Sequence, residues 1–180
     1  MQRGERRFQI PAALLLAIGA AGLGSCATTP ANYAPPSAAA EPRFDALAFF
    51  AGQSRGRGEL SKVFSKTVPV RVQSEGVIEA DGSLTLVQRI EEGEKPPRTR
   101  QWTIREAAPG RYQGTLTDAS GAVEGESEGN RLTLRYPMEG GFKVKQVLTL
   151  STGGERAYNV LKVSKWGVTV AVLAEEIVRE

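Results

Sequence analysis

Leu132, Leu134 and Tyr136 alternate with Arg131, Thr133 and Arg135, a period of two that gives an extended strand one dry face and one wet face. Val144, Gln146, Leu148 and Leu150 repeat the pattern, with Gln146 interrupting the apolar side. The run from Val168 to Leu173 is apolar on both faces, as a well-covered or barrel-closing strand would be. Between such runs, turn residues return every ~8 to 12 positions: Gly56 and Gly58, Asp81-Gly82, Pro96-Pro97, Pro109-Gly110, Gly121, Gly129-Asn130, Gly140-Gly141 and Gly153-Gly154. That spacing predicts a mainly β domain of about nine or ten short antiparallel strands, closed as a sandwich or a barrel. Asp81-Gly82 predicts a tight hairpin turn in which both central residues take positive φ. Ahead of the strands, Phe44, Leu47 and Ala48 or Ala51 recur at three and four, which predicts one short N-terminal helix stopped by Gly52. Its apolar residues fit a plug for the end of a barrel or a cap on a sheet.

The first 43 residues follow a different pattern. Arg3, Arg6 and Arg7 precede an apolar run from Ile10 to Leu23, and Leu23-Gly24-Ser25-Cys26 follows. Fourteen residues at ~1.5 Å each span about 21 Å, short of the roughly 30 Å hydrocarbon core, so the run reads as an export leader and not as a membrane span. Leu-Gly-Ser-Cys resembles the lipobox of bacterial lipoproteins. The resemblance implies cleavage before Cys26, a diacylglyceryl thioether on its sulfur and acylation of the new amine. Residues 1–25 are then a signal peptide, and Ala27 after the cysteine favours the outer membrane, with the protein facing the periplasm. Residues 26–43 carry the anchor and an Ala/Pro/Ser/Thr-rich segment that reads as a flexible tether, able to extend up to roughly 50 Å at ~3.1 Å per residue. Residues 44–180 form the one folded domain.

Charge and composition mainly exclude. The whole chain carries 23 Lys plus Arg against 20 Asp plus Glu, but the leader removes three arginines and one glutamate. The mature chain is therefore nearly neutral, and no clustered basic helix or aromatic-interleaved patch speaks for nucleic acid. There is no histidine, and Cys26 is the only cysteine. Ser-His-Asp and Cys-His catalysis and the usual zinc sites are thereby removed, so the expectation is no enzyme, no metal and no cofactor.

Three constellations remain. Glu124, Glu126 and Glu128 alternate on one strand face near Asp118, but without a loop of closely spaced carboxylates they read as a solvated face and not as a cation cage. Arg55 and Arg57, and the Arg131, Arg135, Lys143 and Lys145 group, are candidate basic faces for anionic headgroups, at roughly 1 kcal/mol per cation near an anionic surface. Trp102, Tyr112, Tyr158 and Trp166 are candidates to line a ligand cavity or to fill the core. Ser61-Lys62 and Ser164-Lys165 are not Ser-Lys nucleophiles, because adjacent strand residues point to opposite faces.

Phe49-Phe50-Ala51-Gly52 with Gly56 and Gly58, Arg100-Gln101-Trp102, Arg111-Tyr112-Gln113-Gly114, Asp118, Gly121, Gly125-Glu126, Gly129-Asn130, Asn159 and Lys165-Trp166-Gly167 follow in an order that resembles bacterial envelope lipoproteins of domain-of-unknown-function family 3833. The resemblance implies a lipocalin-like, calycin-like up-and-down barrel behind a lipobox and brings no activity with it. The chain departs from the family's pattern at Gln88 to Glu91 and at Gln146 to Leu150. Two roles follow. One is a binding module that holds a lipid or another apolar or amphipathic ligand inside the barrel. The other is a solid barrel whose outer surface docks an envelope protein.

Overall fold

Alternating side chains can close a sheet on itself only if every strand finds two neighbours, and here each does. The computed structural model describes residues 27–180, so the leader and Cys26 lie outside the described residues. A short helix α1 (Ala46–Phe50) precedes ten strands: β1 (Gly52–Lys62), β2 (Val68–Ile78), β3 (Leu84–Glu92), β4 (Arg98–Ala108), β5 (Arg111–Leu116), β6 (Val123–Glu128), β7 (Arg131–Met138), β8 (Phe142–Leu150), β9 (Arg156–Lys165) and β10 (Val168–Arg179). Each strand pairs antiparallel with the next. β1 also pairs with β10, from Ser54 opposite Arg179 to Lys62 opposite Ala171, which closes an up-and-down barrel and leaves no sheet edge.

Period two sorts inside from outside. Leu132, Leu134 and Tyr136 of β7 and Val144, Gln146 and Leu148 of β8 are buried, while Arg131, Arg135, Lys143 and Lys145 between them are exposed. The outer face of β7 and of the start of β8 is thus strongly charged. Among the described residues, no helix is long and apolar enough to cross a membrane.

The two ends of the barrel differ. The β2–β3, β4–β5, β6–β7 and β8–β9 turns crowd one end, and α1 closes it. Asp45 caps the helix by accepting from the Ala48 amide at 3.0 Å, the Phe44 amide donates to Gly129 O at 2.8 Å, and the Ala46 amide donates to the Tyr112 hydroxyl at 3.3 Å. Gly76 on β2 permits this seating, since a Cβ there would stand 1.9 Å from Phe50 O. Phe44, Phe49 and Phe50 then stack in tilted and edge-on pairs, with centroids 5.2 and 4.9 Å apart, on the main core. The helix is thus a plug.

The Asp81-Gly82 turn is a hairpin, but not of the predicted type. Gly82 takes φ +80° whereas Asp81 stays at negative φ; its carboxylate accepts from the Ser83 amide at 3.0 Å and the Ser83 hydroxyl at 2.7 Å. That side-chain capping stabilises a wider loop than a two-residue turn. Two successive positive φ values occur instead at Gly140-Gly141, +73° and +78°, and at Trp166-Gly167, +51° and +82°.

Residues 27–43 run as a strap along the barrel wall. The Ala27 amide donates to Thr169 O at 3.4 Å, the Tyr33 hydroxyl to Glu175 O at 2.5 Å, and the Ala39 amide to Asn130 Oδ1 at 2.9 Å. Val172 and Ala174, on the outer face of β10, are buried along this side.

Candidate functional site

Two apolar clusters and a set of polar side chains fill the barrel interior. Next to α1 lies the dry core, which includes Leu84, Leu86, Ile104, Leu132, Leu148 and Ile177. Toward the other end a second apolar cluster, Val70, Val72 and Ile90, is joined by the partly buried Leu60 and Leu173. A belt of inward polar side chains crosses the barrel, running between the two clusters at Ser74 and Gln88 and through the larger cluster at Gln146 and Asn159.

On one wall the belt is a connected network. Ser54, Ser74, Gln88 and Arg100 stand opposite one another in register across β1, β2, β3 and β4. Gln88 Nε2 donates to Ser74 Oγ at 3.1 Å, and Gln88 Oε1 accepts from both Trp102 Nε1 and Arg100 Nε at 2.8 Å. Arg100 also lies 5.3 Å from the Trp102 ring centroid, and Tyr136 meets that ring edge-on at 5.5 Å. On the other wall, Asn159 of β9 stands opposite Glu175 of β10, and its Nδ2 donates to Glu175 Oε2 at 2.9 Å.

Glu175 owes its room to a glycine. A Cβ on Gly56 would lie 1.9 Å from Glu175 Oε1, so the absence of a side chain on β1 lets the carboxyl group fold inward. Burial pushes its pKa above the usual carboxylate range, against the Asn159 hydrogen bond and the Arg100 charge, which both lower it.

Three belt atoms have no partner among the described residues: Ser54 Oγ, Gln146 Oε1 and Asn159 Oδ1. Their residues are 3%, 5% and 1% exposed. An unpaired buried polar group costs about 1–3 kcal/mol, so each of the three has a hydrogen bond to gain.

Of the four candidate aromatics, Trp102 and Tyr112 are buried in the interior. Tyr158 is not inside: it falls on the outer face of β9 between inward Ala157 and Asn159, and it meets strap Tyr33 at 6.1 Å. Trp166 is not inside either. It is 91% exposed at the tip of the β9–β10 turn, beyond the strand that could have turned it inward. The four candidate aromatics do not include the belt's carboxyl and amides. The signal was present, since Glu175 is in phase with Leu173 and Ile177, and Asn159 with Ala157 and Leu161.

The outer constellations interlock. Glu124 and Glu128 on β6 face Arg135 and Arg131 on β7, and Glu126 pairs with Arg111 at 3.0 Å. Arg55 pairs with Glu180 at 2.8 Å, and Arg57 stands opposite Glu176. Lys145 lies between Arg135 and Lys162 across β7, β8 and β9, a short basic stripe. Ser61 and Ser164 bond Thr67 Oγ1 and Lys143 O, not the lysines beside them.

Barrels of the same fold occur among solved structures of low identity. The S-type phycobiliprotein lyase CPES of Guillardia theta matches with a TM-score of 0.60 at 7% identity, over 74% of this chain and 90% of that one. Rv2717c of Mycobacterium tuberculosis matches with a TM-score of 0.60 at 16% identity, over 75% and 95%. A protein of unknown function of the DUF3598 family from Nostoc punctiforme matches with a TM-score of 0.54 at 12% identity, over 77% of this chain and 50% of that one. No curated protein matches the sequence. The family profile described as protein of unknown function (DUF3833) matches residues 20–179, nearly the whole chain and the entire barrel, and the chain belongs to that family.

Proposed function

We propose that this protein is a binding module that holds a single-chain amphipathic ligand inside its barrel, with the polar head at the belt and the chain toward the end opposite α1. The observation that carries this reading is the trio of unpaired buried atoms, Ser54 Oγ, Gln146 Oε1 and Asn159 Oδ1, beside the apolar Val70, Val72 and Ile90 cluster. Two of the three are carbonyl oxygens, which accept only. A head group that donates hydrogen bonds, such as a hydroxyl or amide, therefore suits the belt better than one that only accepts. In this reading the chain lies along the Val70, Val72 and Ile90 cluster, away from the dense packing beside α1. The likeness to a phycobiliprotein lyase supports a fold put to work on another molecule.

In the same reading Cys26 carries the lipid anchor, the leader is removed, and the barrel faces the periplasm from the outer membrane. The role is binding and not catalysis, with no cofactor.

The test is native mass spectrometry of the protein purified from its own membranes, followed by exchange against a monoacylglycerol and the methyl ester of the same acyl chain. A one-to-one complex with the monoacylglycerol is expected, and binding of the ester should be weaker by about tenfold, the worth of roughly one hydrogen bond. Gln146→Leu with Asn159→Leu should abolish that preference. A barrel that takes up neither amphiphile overturns the reading and leaves a scaffold whose outer wall docks an envelope protein.

A further inference from the structure

Two large aromatic side chains stand out on the end of the barrel away from α1. Phe64, on the β1–β2 turn, is 94% exposed, and Trp166, on the β9–β10 turn, is 91% exposed. They are the only non-glycine residues at positive φ among the described residues, +58° and +51°. Bulky residues rarely adopt that conformation, which Asn or Gly takes at lower cost. An aromatic ring placed there, packed against little of its own barrel, has the strain of the position without the gain of burial.

The two turns are neighbours. β1 and β10 pair as far as Lys62 opposite Ala171, and beyond them the Val63 amide donates to Val170 O at 3.0 Å. One residue further along, Thr169 O accepts from the amide of Ala27, the residue that follows Cys26. The strap thus brings the start of the mature chain to the base of the Trp166 turn.

Cations cluster on the same side. Lys165 Nζ lies 4.6 Å from the Phe142 ring centroid and 4.8 Å from that of Trp166. Lys66, Lys143 and Lys165 make no ion pair among the described residues, whereas Lys62 and Lys95 share Glu92. Glu94 and Glu139 are the unpaired carboxylates of this rim, and the basic stripe of Lys145 and Lys162 adjoins it.

We propose that this rim is a membrane-seating face: Phe64 and Trp166 enter the headgroup layer of the bilayer that holds Cys26, while Lys66, Lys143 and Lys165 meet anionic headgroups. Indole and phenyl rings at the headgroup level, flanked by lysines whose stems can snorkel, suit an interface that is apolar below and wet above. The proposal rests on the anchor reading of Cys26. It gives the barrel one orientation, with the Val70, Val72 and Ile90 end facing lipid, so that an amphiphile passes between bilayer and lumen without crossing bulk water.

Trp102 and Trp166 are the chain's two tryptophans, one 3% and one 91% exposed. The protein is reconstituted into phosphatidylethanolamine/phosphatidylglycerol vesicles whose acyl chains are brominated near the headgroup, and tryptophan quenching is compared with Trp166→Gln. Quenching of the parent should exceed that of the variant by about twofold or more, because the remaining Trp102 lies inside the barrel. Replacing phosphatidylglycerol by phosphatidylcholine should reduce the quench. Parent emission that stays unquenched and at a water-exposed wavelength overturns the proposal. Mass analysis of the Cys26 peptide reports the anchor separately. If that cysteine is unmodified, the same chain is mixed with excess anionic vesicles: a Trp166-dependent quench then upholds the rim without the anchor, and its absence rejects the rim as well.

Discussion

Glu175 lies directly over Gly56: a Cβ at position 56 would come within 1.9 Å of Glu175 Oε1 and 3.3 Å of Val72 Cβ. The missing side chain at position 56 and Glu175, the one buried carboxyl group among the described residues, are a matched pair. Gly56→Ala forces the carboxyl aside and breaks its hydrogen bond to Asn159, at an expected ~1–3 kcal/mol in urea unfolding. Glu175→Ala makes the space that the alanine needs, so the double variant should be more stable than the two single losses predict when summed. Strict additivity would mean that the two residues do not share that space.

The same carboxyl group sets a pH dependence. A carboxyl whose pKa is raised in the folded state holds its proton more tightly when native. Its contribution to stability is full below the usual carboxylate range and is lost as pH rises from that range through the folded value. Glu175→Gln keeps the shape and the ability to accept from Asn159 but has no such slope. The variant should match the parent closely at low pH and become progressively the more stable of the two toward neutrality, read from denaturant midpoints across pH. Parallel profiles would show that Glu175 is ionised at no cost.

The fold was legible where a physical period governs it. β7 follows its alternation residue by residue and β8 does so as far as Leu148, beyond which Thr149 is buried as well; the Phe44 segment forms the plug. The chain turns at the later Gly, Pro and Asn signals from Asp81-Gly82 to Gly153-Gly154, but Gly56 and Gly58, expected at a turn, lie inside β1, where Gly56 makes room for Glu175. What sequence patterns do not carry is depth along the barrel axis. Tyr158 and Asn159 are adjacent; phase puts the aromatic outside and the amide inside, against the usual expectation for each residue type. The belt draws on β1, β2, β3, β4, β8, β9 and β10, segments far apart in the chain that meet only after closure, so no local motif announces it. Trp166 misled for a different reason. A tryptophan is expected to be buried, and only the positive φ it shares with Gly167 reveals a turn tip.

Trp102 is where the dry core and the belt meet. Its ring is 3% exposed and its Nε1–H shares Gln88 Oε1 with Arg100. Trp102→Ala should cost about 3–5 kcal/mol in thermal or urea unfolding through the cavity it leaves. Trp102→Phe keeps most of the packing and removes only the indole donor, so the loss should fall to ~1–2 kcal/mol. Equal losses for the two variants would place the whole effect in the hydrogen bond.

Asn130 clasps the strap to the barrel. Its Oδ1 accepts from the Ala39 amide at 2.9 Å, its Nδ2 donates to Ser37 O at 3.1 Å and Leu150 O at 3.2 Å, and its own amide donates to Ala39 O at 2.8 Å. The side chain is 3% exposed, so its polar groups have no water to fall back on. Asn130→Ala removes the side-chain bonds and leaves Leu150 O with one partner fewer, an expected loss of ~1–3 kcal/mol. Because the clasp is local, hydrogen exchange should speed up at Ala39 while the β2 and β3 amides stay protected. Asn130→Asp retains the acceptor for Ala39 but not the donor for Ser37 and Leu150, and should fall between parent and alanine. Unchanged exchange at Ala39 in the alanine variant would mean that Tyr33 and the backbone pair hold the strap without the side chain, and the strap's path past β10 to the Trp166 turn would then depend on the Tyr33 bond to Glu175 O.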